Sequence, residues 1–198
     1  GVINAYNFMD GINGITACYS LAVGALLTIV NDQQDFVAQD LLIFTLLGVL
    51  VFTFFNFRTK AKCFAGDVGS VAIAYILLFA LGLLILKTGN LLYILFLAVY
   101  GIDAVWTIVR RLYLRENIFE AHRSHLYQYL GNEAGVNKLL ISFLYGVLQF
   151  GIGYLVIYFS SKSVQIQLIF ATFLIALLSV IYLILKTYII NTYLKKKV

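Results

Sequence analysis

The stretch VGSVAIAYILLFALGLLIL, residues 68–86, runs for nineteen residues without a charge. As a helix rising 1.5 Å per residue it covers about 28 Å, close to the roughly 30 Å hydrocarbon core of a bilayer. Working outward, five further stretches read the same way, at about 12–30, 41–57, 91–109, 138–160 and 165–190. None alternates apolar and polar residues with the period of two that a membrane β-strand needs. The fold expected is therefore all-α, a polytopic transmembrane bundle of about six spans forming one domain over residues 1–198. The composition agrees, with 62% hydrophobic and 12% charged residues and a mean hydropathy of +0.94. Soluble domains run nearer about 45–50% apolar and about 25% charged. Soluble, collagenous, disordered and disulfide-scaffold classes are excluded together, and no nucleic-acid partner is expected. The net charge of +5 is read as topology and contact with anionic lipid. Cys18 in an apolar run and Cys63 in a basic loop make neither a disulfide framework nor a metal cluster. Proline is absent, so irregular backbone within the spans is expected at glycine.

Twelve of the fourteen Lys and Arg fall in or beside segments 57–67, 110–137 and the C-terminal tail. The opposite connection 31–40 carries Asp32, Asp35 and Asp40 with no base. The positive-inside rule assigns loops 1–11, 57–67 and 110–137, and both chain ends, to the cytoplasmic side of the membrane. The chain begins at Gly1, has Met9 as its one Met, and shows no signal-peptide pattern, which reads as an N-terminally truncated fragment.

Polar residues gather in three cytoplasmic clusters. Asn4, Asn7 and Asp10, followed by Gly11 and Gly14, share one face if the stretch is helical; the alternative is that Asp10 caps the next helix. Lys60, Lys62, Gly66, Asp67, Gly69 and Ser70 run from a basic loop into a span. Small residues, a helix N-terminus and a carboxylate there suit a diphosphate with a divalent cation, while an ordinary capping Asp with packing glycines is the plainer reading. Arg110, Arg111, Arg115, His122, Arg123 and His125 form the third, able to clamp phosphates or to lie on anionic lipid. Zinc on His122 and His125 lacks further ligands. Asp103 lies inside the fourth span about two turns before Arg110, either functional or an interhelical hydrogen-bond acceptor. The glycines at 146, 151 and 153 read as helix-packing residues.

Together and in this order the clusters resemble the polyprenyl-phosphate N-acetylhexosamine-1-phosphate transferases, which include undecaprenyl-phosphate GlcNAc-1-phosphate transferase and phospho-MurNAc-pentapeptide translocase. Asn4, Asn7, Asp10 and Gly11 match the family's N-x-x-N-x-x-D-G, and Ala61-Lys62, Phe64 and Gly66–Ser70 match A-K-x-F-x-G-D-x-G-S. Asp103, Arg110-Arg111, Arg123 and His125 match the region of its histidine motif. The resemblance covers residues 4–130. It implies transfer of a sugar 1-phosphate from a UDP-N-acetylhexosamine to polyprenyl phosphate, releasing UMP, with Mg²⁺ as cofactor or Mn²⁺ in its place and a homodimer as a candidate assembly. By the same resemblance Asp10 and Asp67 are catalytic and Asp67 ligates the metal. Asn4, Asn7, Lys62, Gly66, Gly69, Ser70, Arg123 and His125 then line the donor and phosphate site.

Two departures qualify the expectation. The family's Asp-Asp motif does not occur in the chain, so the fragment alone is expected to be inactive. The family's H-x-H-H stands as His125-Leu126-Tyr127-Gln128, which points toward O-antigen or capsule initiation rather than the peptidoglycan translocase. A transporter or channel subunit, and a homologue that binds without turnover, are the rival readings.

Overall fold

The computed structural model describes residues 2–117 and 123–194. A short helix α1 (Val2–Phe8) precedes α2 (Ile15–Gln34), α3 (Gln39–Asn56) and α4 (Gly66–Thr88). The fourth span is a 3₁₀ stretch, Leu91–Leu97, continued by α5 (Ala98–Tyr113). A three-residue helix α6 (Leu126–Gln128) and a π turn (Tyr129–Glu133) lead to α7 (Lys138–Ser160) and α8 (Val164–Ile189). Among the described residues six helices are long and apolar enough to cross a membrane, and the spans begin and end within a few residues of the hydropathy reading.

The core is the α2–α7 pair, which α4 and the 3₁₀ stretch enclose. Close approach is set by two glycines of α7: a Cβ on Gly146 would press on the Cys18 backbone, and one on Gly153 would overlap Leu26. Gly151 faces open space and packs nothing, a correction to its expected role. Outer helices bury little: twelve residues of α2 are buried but three of α3. α3 is held by Leu42, Val49 and Asn56, spaced seven apart on one stripe. Phe44, Leu47, Val51 and Phe54 on its other side are exposed, an apolar surface suited to lipid rather than water.

The break in the fourth span contains no glycine, contrary to the expectation that glycine supplies irregular backbone. The 3₁₀ stretch leaves backbone groups unpaired by the α-helical ladder, and buried Gln149 of α7 takes them up. Its Nε2 donates to the Leu95 carbonyl (3.1 Å), and its Oε1 accepts from the Val99 N–H (3.0 Å) and the Tyr19 hydroxyl (2.8 Å). In a medium without water a side-chain amide is the means of satisfying such a break.

Candidate active site

The connections that follow α1, α3 and α5 lie at the end of the bundle that carries the basic loops. α1 ends at Phe8, so Asn4 and Asn7 lie on the helix while Asp10 lies in the turn after it, not on a continuous helical face. Asp10 does not cap α2 either; Gly14 holds that position without a side-chain bond. Instead Asp10 accepts from the Thr16 hydroxyl (2.6 Å). Gly14, at φ +87°, donates its N–H to Asn56 Oδ1 (2.7 Å), and Asn56 Nδ2 donates to the Cys63 carbonyl (2.8 Å). Asn13 Nδ2 reaches the Arg58 carbonyl (2.9 Å). These amides tie the first turn of α2 to loop 57–65 and so place the start of α4.

That start carries the second cluster. Ala65 stands at the cap, which leaves Asp67 exposed in the first turn of α4 rather than spent as a cap. Ser70 is fully buried, and its hydroxyl donates to Asn7 Oδ1 (2.7 Å). One bond therefore joins the first cluster to the second across 63 residues. Asp10 comes close enough to α4 to take the Gly66 N–H and to feel the charge of Asp67. Burial first, and then that neighbouring charge, hold the Asp10 carboxyl above its ordinary range, against the opposing bonds from Thr16 and Gly66. Lys62 and Arg123 are exposed, as is Asn4, and among the described residues no ion pair links these cations to either aspartate. Gly66 and Gly69 border the same helix start.

The third cluster divides. Arg111 turns inward, with Nε 3.2 Å from Glu116 and Nη2 donating to the Asn117 carbonyl (2.6 Å), so it folds its own loop. His125 is buried with Nδ1 3.3 Å from Asp103 Oδ1. Asp103 also accepts from the Leu126 N–H (3.0 Å), the Tyr145 hydroxyl (3.0 Å) and Thr107 (3.3 Å). Lys186 of α8 donates to Thr107 (3.2 Å) and to Tyr182. Of the two readings of Asp103, the interhelical acceptor is the one these bonds describe. His122 lies outside the described residues, as do Lys195–Lys197.

Tyr127, read from the sequence only as a departure from the histidine motif, joins the third cluster to the first. Its hydroxyl donates to the Phe8 carbonyl (3.1 Å), and a Cβ on Gly11 would overlap that hydroxyl. The sequence reading passed over Thr16, Asn56, Gln149 and Lys186. The signal was there for the last two, each a long polar side chain inside an apolar run.

An apolar groove of about 620 Å³ lies between α2, α3 and α4, with Phe44, Phe52 and Ile73 on its walls and Thr16, Ala65 and Gly69 beside the aspartates at one end.

Residues 1–103 match the family model described as Glycosyl transferase family 4. The chain belongs to that family. It is 33% identical over 161 residues to a phospho-N-acetylmuramoyl-pentapeptide-transferase of Streptococcus gordonii, covering 77% of this chain and 47% of that protein. A probable undecaprenyl-phosphate N-acetylglucosaminyl 1-phosphate transferase of Bacillus subtilis is 27% identical over 135 residues, 66% of this chain and 37% of the relative. A phospho-N-acetylmuramoyl-pentapeptide-transferase of Lactococcus lactis is 43% identical over 77 residues, 37% of this chain and 22% of its own length. This family 4 chain thus spans less than half the length of the curated relatives it matches. No solved structure matches it.

Proposed function

We propose that the protein containing this chain transfers N-acetylhexosamine 1-phosphate from a UDP-sugar to polyprenyl phosphate, of undecaprenyl type, at the cytoplasmic face of a bacterial inner membrane. A lipid-phosphate oxygen forms a bond to the sugar-bearing phosphorus, the diphosphate bond of the donor breaks, and UMP leaves. The product is a polyprenyl diphosphate sugar that starts a lipid-linked surface glycan. The observation that carries this reading is the Ser70–Asn7 bond, because it makes one site out of two motifs and sets Asp10 near Asp67 at a helix N-terminus.

The donor set suits a hard divalent cation, which binds through one or two carboxylates and keeps the remaining positions for water and phosphate oxygens. Asp67, exposed, would ligate Mg²⁺ or Mn²⁺, and Asp10 would share it. When bound, the metal neutralises charge on the phosphates. The protein's own part is positioning. The α4 N-terminus offers unpaired N–H groups to phosphate oxygens, Ser70 and Asn7 lock α1 against α4, and Thr16 orients Asp10. Lys62 and Arg123 supply exposed positive charge for the nucleotide phosphates. The groove ending at Thr16, Ala65 and Gly69 gives a phosphate borne on an isoprenoid chain an apolar approach to the same aspartates. Phosphoryl transfer depends mainly on such placement and charge compensation.

The test is UMP release by the full-length protein in membranes supplied with undecaprenyl phosphate, Mg²⁺ and a panel of UDP-N-acetylhexosamines. Release that requires lipid and metal, with one donor preferred, is expected. No release with any donor from folded protein would overturn the reading.

A further inference from the structure

Tyr127 stands at the third place of the stretch that matches the family's H-x-H-H, where a tyrosine replaces the histidine and makes contacts of its own. Its ring is buried, near-parallel to the His125 ring at 5.8 Å and edge-on to Tyr145 at 6.3 Å. The hydroxyl points across 119 residues of sequence to the Phe8 carbonyl. That carbonyl belongs to the last residue of α1, one of the end groups a helix does not use itself, and the chain then turns through Met9 to Asp10 and Gly11. Gly11 has no side chain where Tyr127 and Gln128 press closest, with the Gln128 Nε2 3.0 Å and the Tyr127 Cζ 3.1 Å from where a Cβ would stand. Tyr127 is itself held from behind. Asp103 accepts the N–H of Leu126 and faces the ring of His125, the two residues before it, and accepts the hydroxyl of Tyr145 beside it.

We propose that Tyr127 is a positioning residue for the transfer reaction: by bonding the end of α1 and filling the space above Gly11 it fixes the turn that presents Asp10 to Asp67, with Asp103 fixing Tyr127 in turn. The inference rests on the transferase reading above. It touches neither donor nor lipid, so its loss reduces turnover rather than donor binding.

The experiment measures UMP release by the full-length protein in membranes, using the donor that wild type prefers, for Tyr127→Phe, Gly11→Ala and the two combined. Thermal midpoints are taken in parallel after solubilisation. Tyr127→Phe keeps the packed ring and removes one hydrogen bond. It is expected to lower kcat roughly three- to tenfold, leave the donor KM within about twofold, and shift the midpoint little. Gly11→Ala meets the hydroxyl and loses more. Adding Tyr127→Phe removes the atom it meets, so the double variant is expected to turn over faster than Gly11→Ala alone, although each change is harmful separately. A wild-type kcat in Tyr127→Phe, a loss that only tracks the folded fraction, or a double variant no faster than Gly11→Ala would overturn the proposal while leaving the transferase reading intact. Should Gly11→Ala not accumulate, Tyr127→Phe decides alone. Absence of UMP release from wild type would overturn both.

Discussion

Asp103 and Asp67 are both carboxylates near the same end of the bundle, and their surroundings are opposite. Asp103 is 2% exposed and takes hydrogen bonds from a backbone N–H, a tyrosine, a threonine and a histidine ring. Asp67 is exposed in the first turn of α4, and among the described residues no side chain bonds to its carboxylate. A carboxylate whose lone pairs are filled from within has none to offer a ligand, and its removal is felt by the fold. One left to solvent at a helix N-terminus adds little to the fold and keeps its capacity for a cation or phosphate-bound metal. Asp10 stands between them, half-buried, with Thr16 as its internal donor.

Substitutions can break or sharpen this contrast. The largest effect is expected of Asp67→Asn, a loss of transfer on the order of a thousandfold with the melting midpoint unchanged; a midpoint that fell instead would make Asp67 another structural acid. Next is Asp103→Leu, which leaves Lys186, Tyr145 and the Leu126 N–H facing an apolar side chain. It is expected to cost about 3 kcal/mol, read as several degrees of Tm, and adding Lys186→Met should restore part of the loss. Gln149→Leu removes bonds to Leu95, Val99 and Tyr19 and is expected to cost about 2 kcal/mol without a change in metal dependence. The smallest effect on stability belongs to Asp10→Asn, a variant that also gives up a carboxylate proposed to share the metal. Because the Asp10 carboxyl sits above its ordinary range, the folded state holds its proton where the unfolded state has lost it. The ionised group therefore lowers stability as pH rises through that window. The amide is expected to raise the neutral-pH midpoint on the order of a degree or two, an advantage that disappears in acid as the native Asp10 takes up its proton.

The spans were legible because nothing else in a chain this apolar can satisfy its backbone in lipid, and boundaries such as Lys138–Ser160 follow from where charge and amide return. The two aspartate motifs were legible as strings, and their meeting through Asn7 and Ser70 was not, because a hydrogen bond across 63 residues leaves no periodicity. The break after Leu97 was hidden for a related reason. It is stabilised by Gln149 on a different span, not by any glycine or proline of its own. The burial of His125 was not legible either: histidine beside arginine reads as part of a basic loop, and the buried Asp103 that it meets lies 22 residues away on another helix. Tyr127 was legible only as a departure from a histidine motif, and its contact with the turn at Gly11 lies across more than a hundred residues of sequence.

The central claim is that Asp67 serves chemistry and Asp103 serves the fold. The most direct test compares UMP release and thermal midpoint side by side for full-length wild type, Asp67→Asn and Asp103→Leu. The account predicts that Asp67→Asn melts like wild type and does not transfer, whereas Asp103→Leu melts several degrees lower. Transfer at the wild-type rate by Asp67→Asn would contradict it.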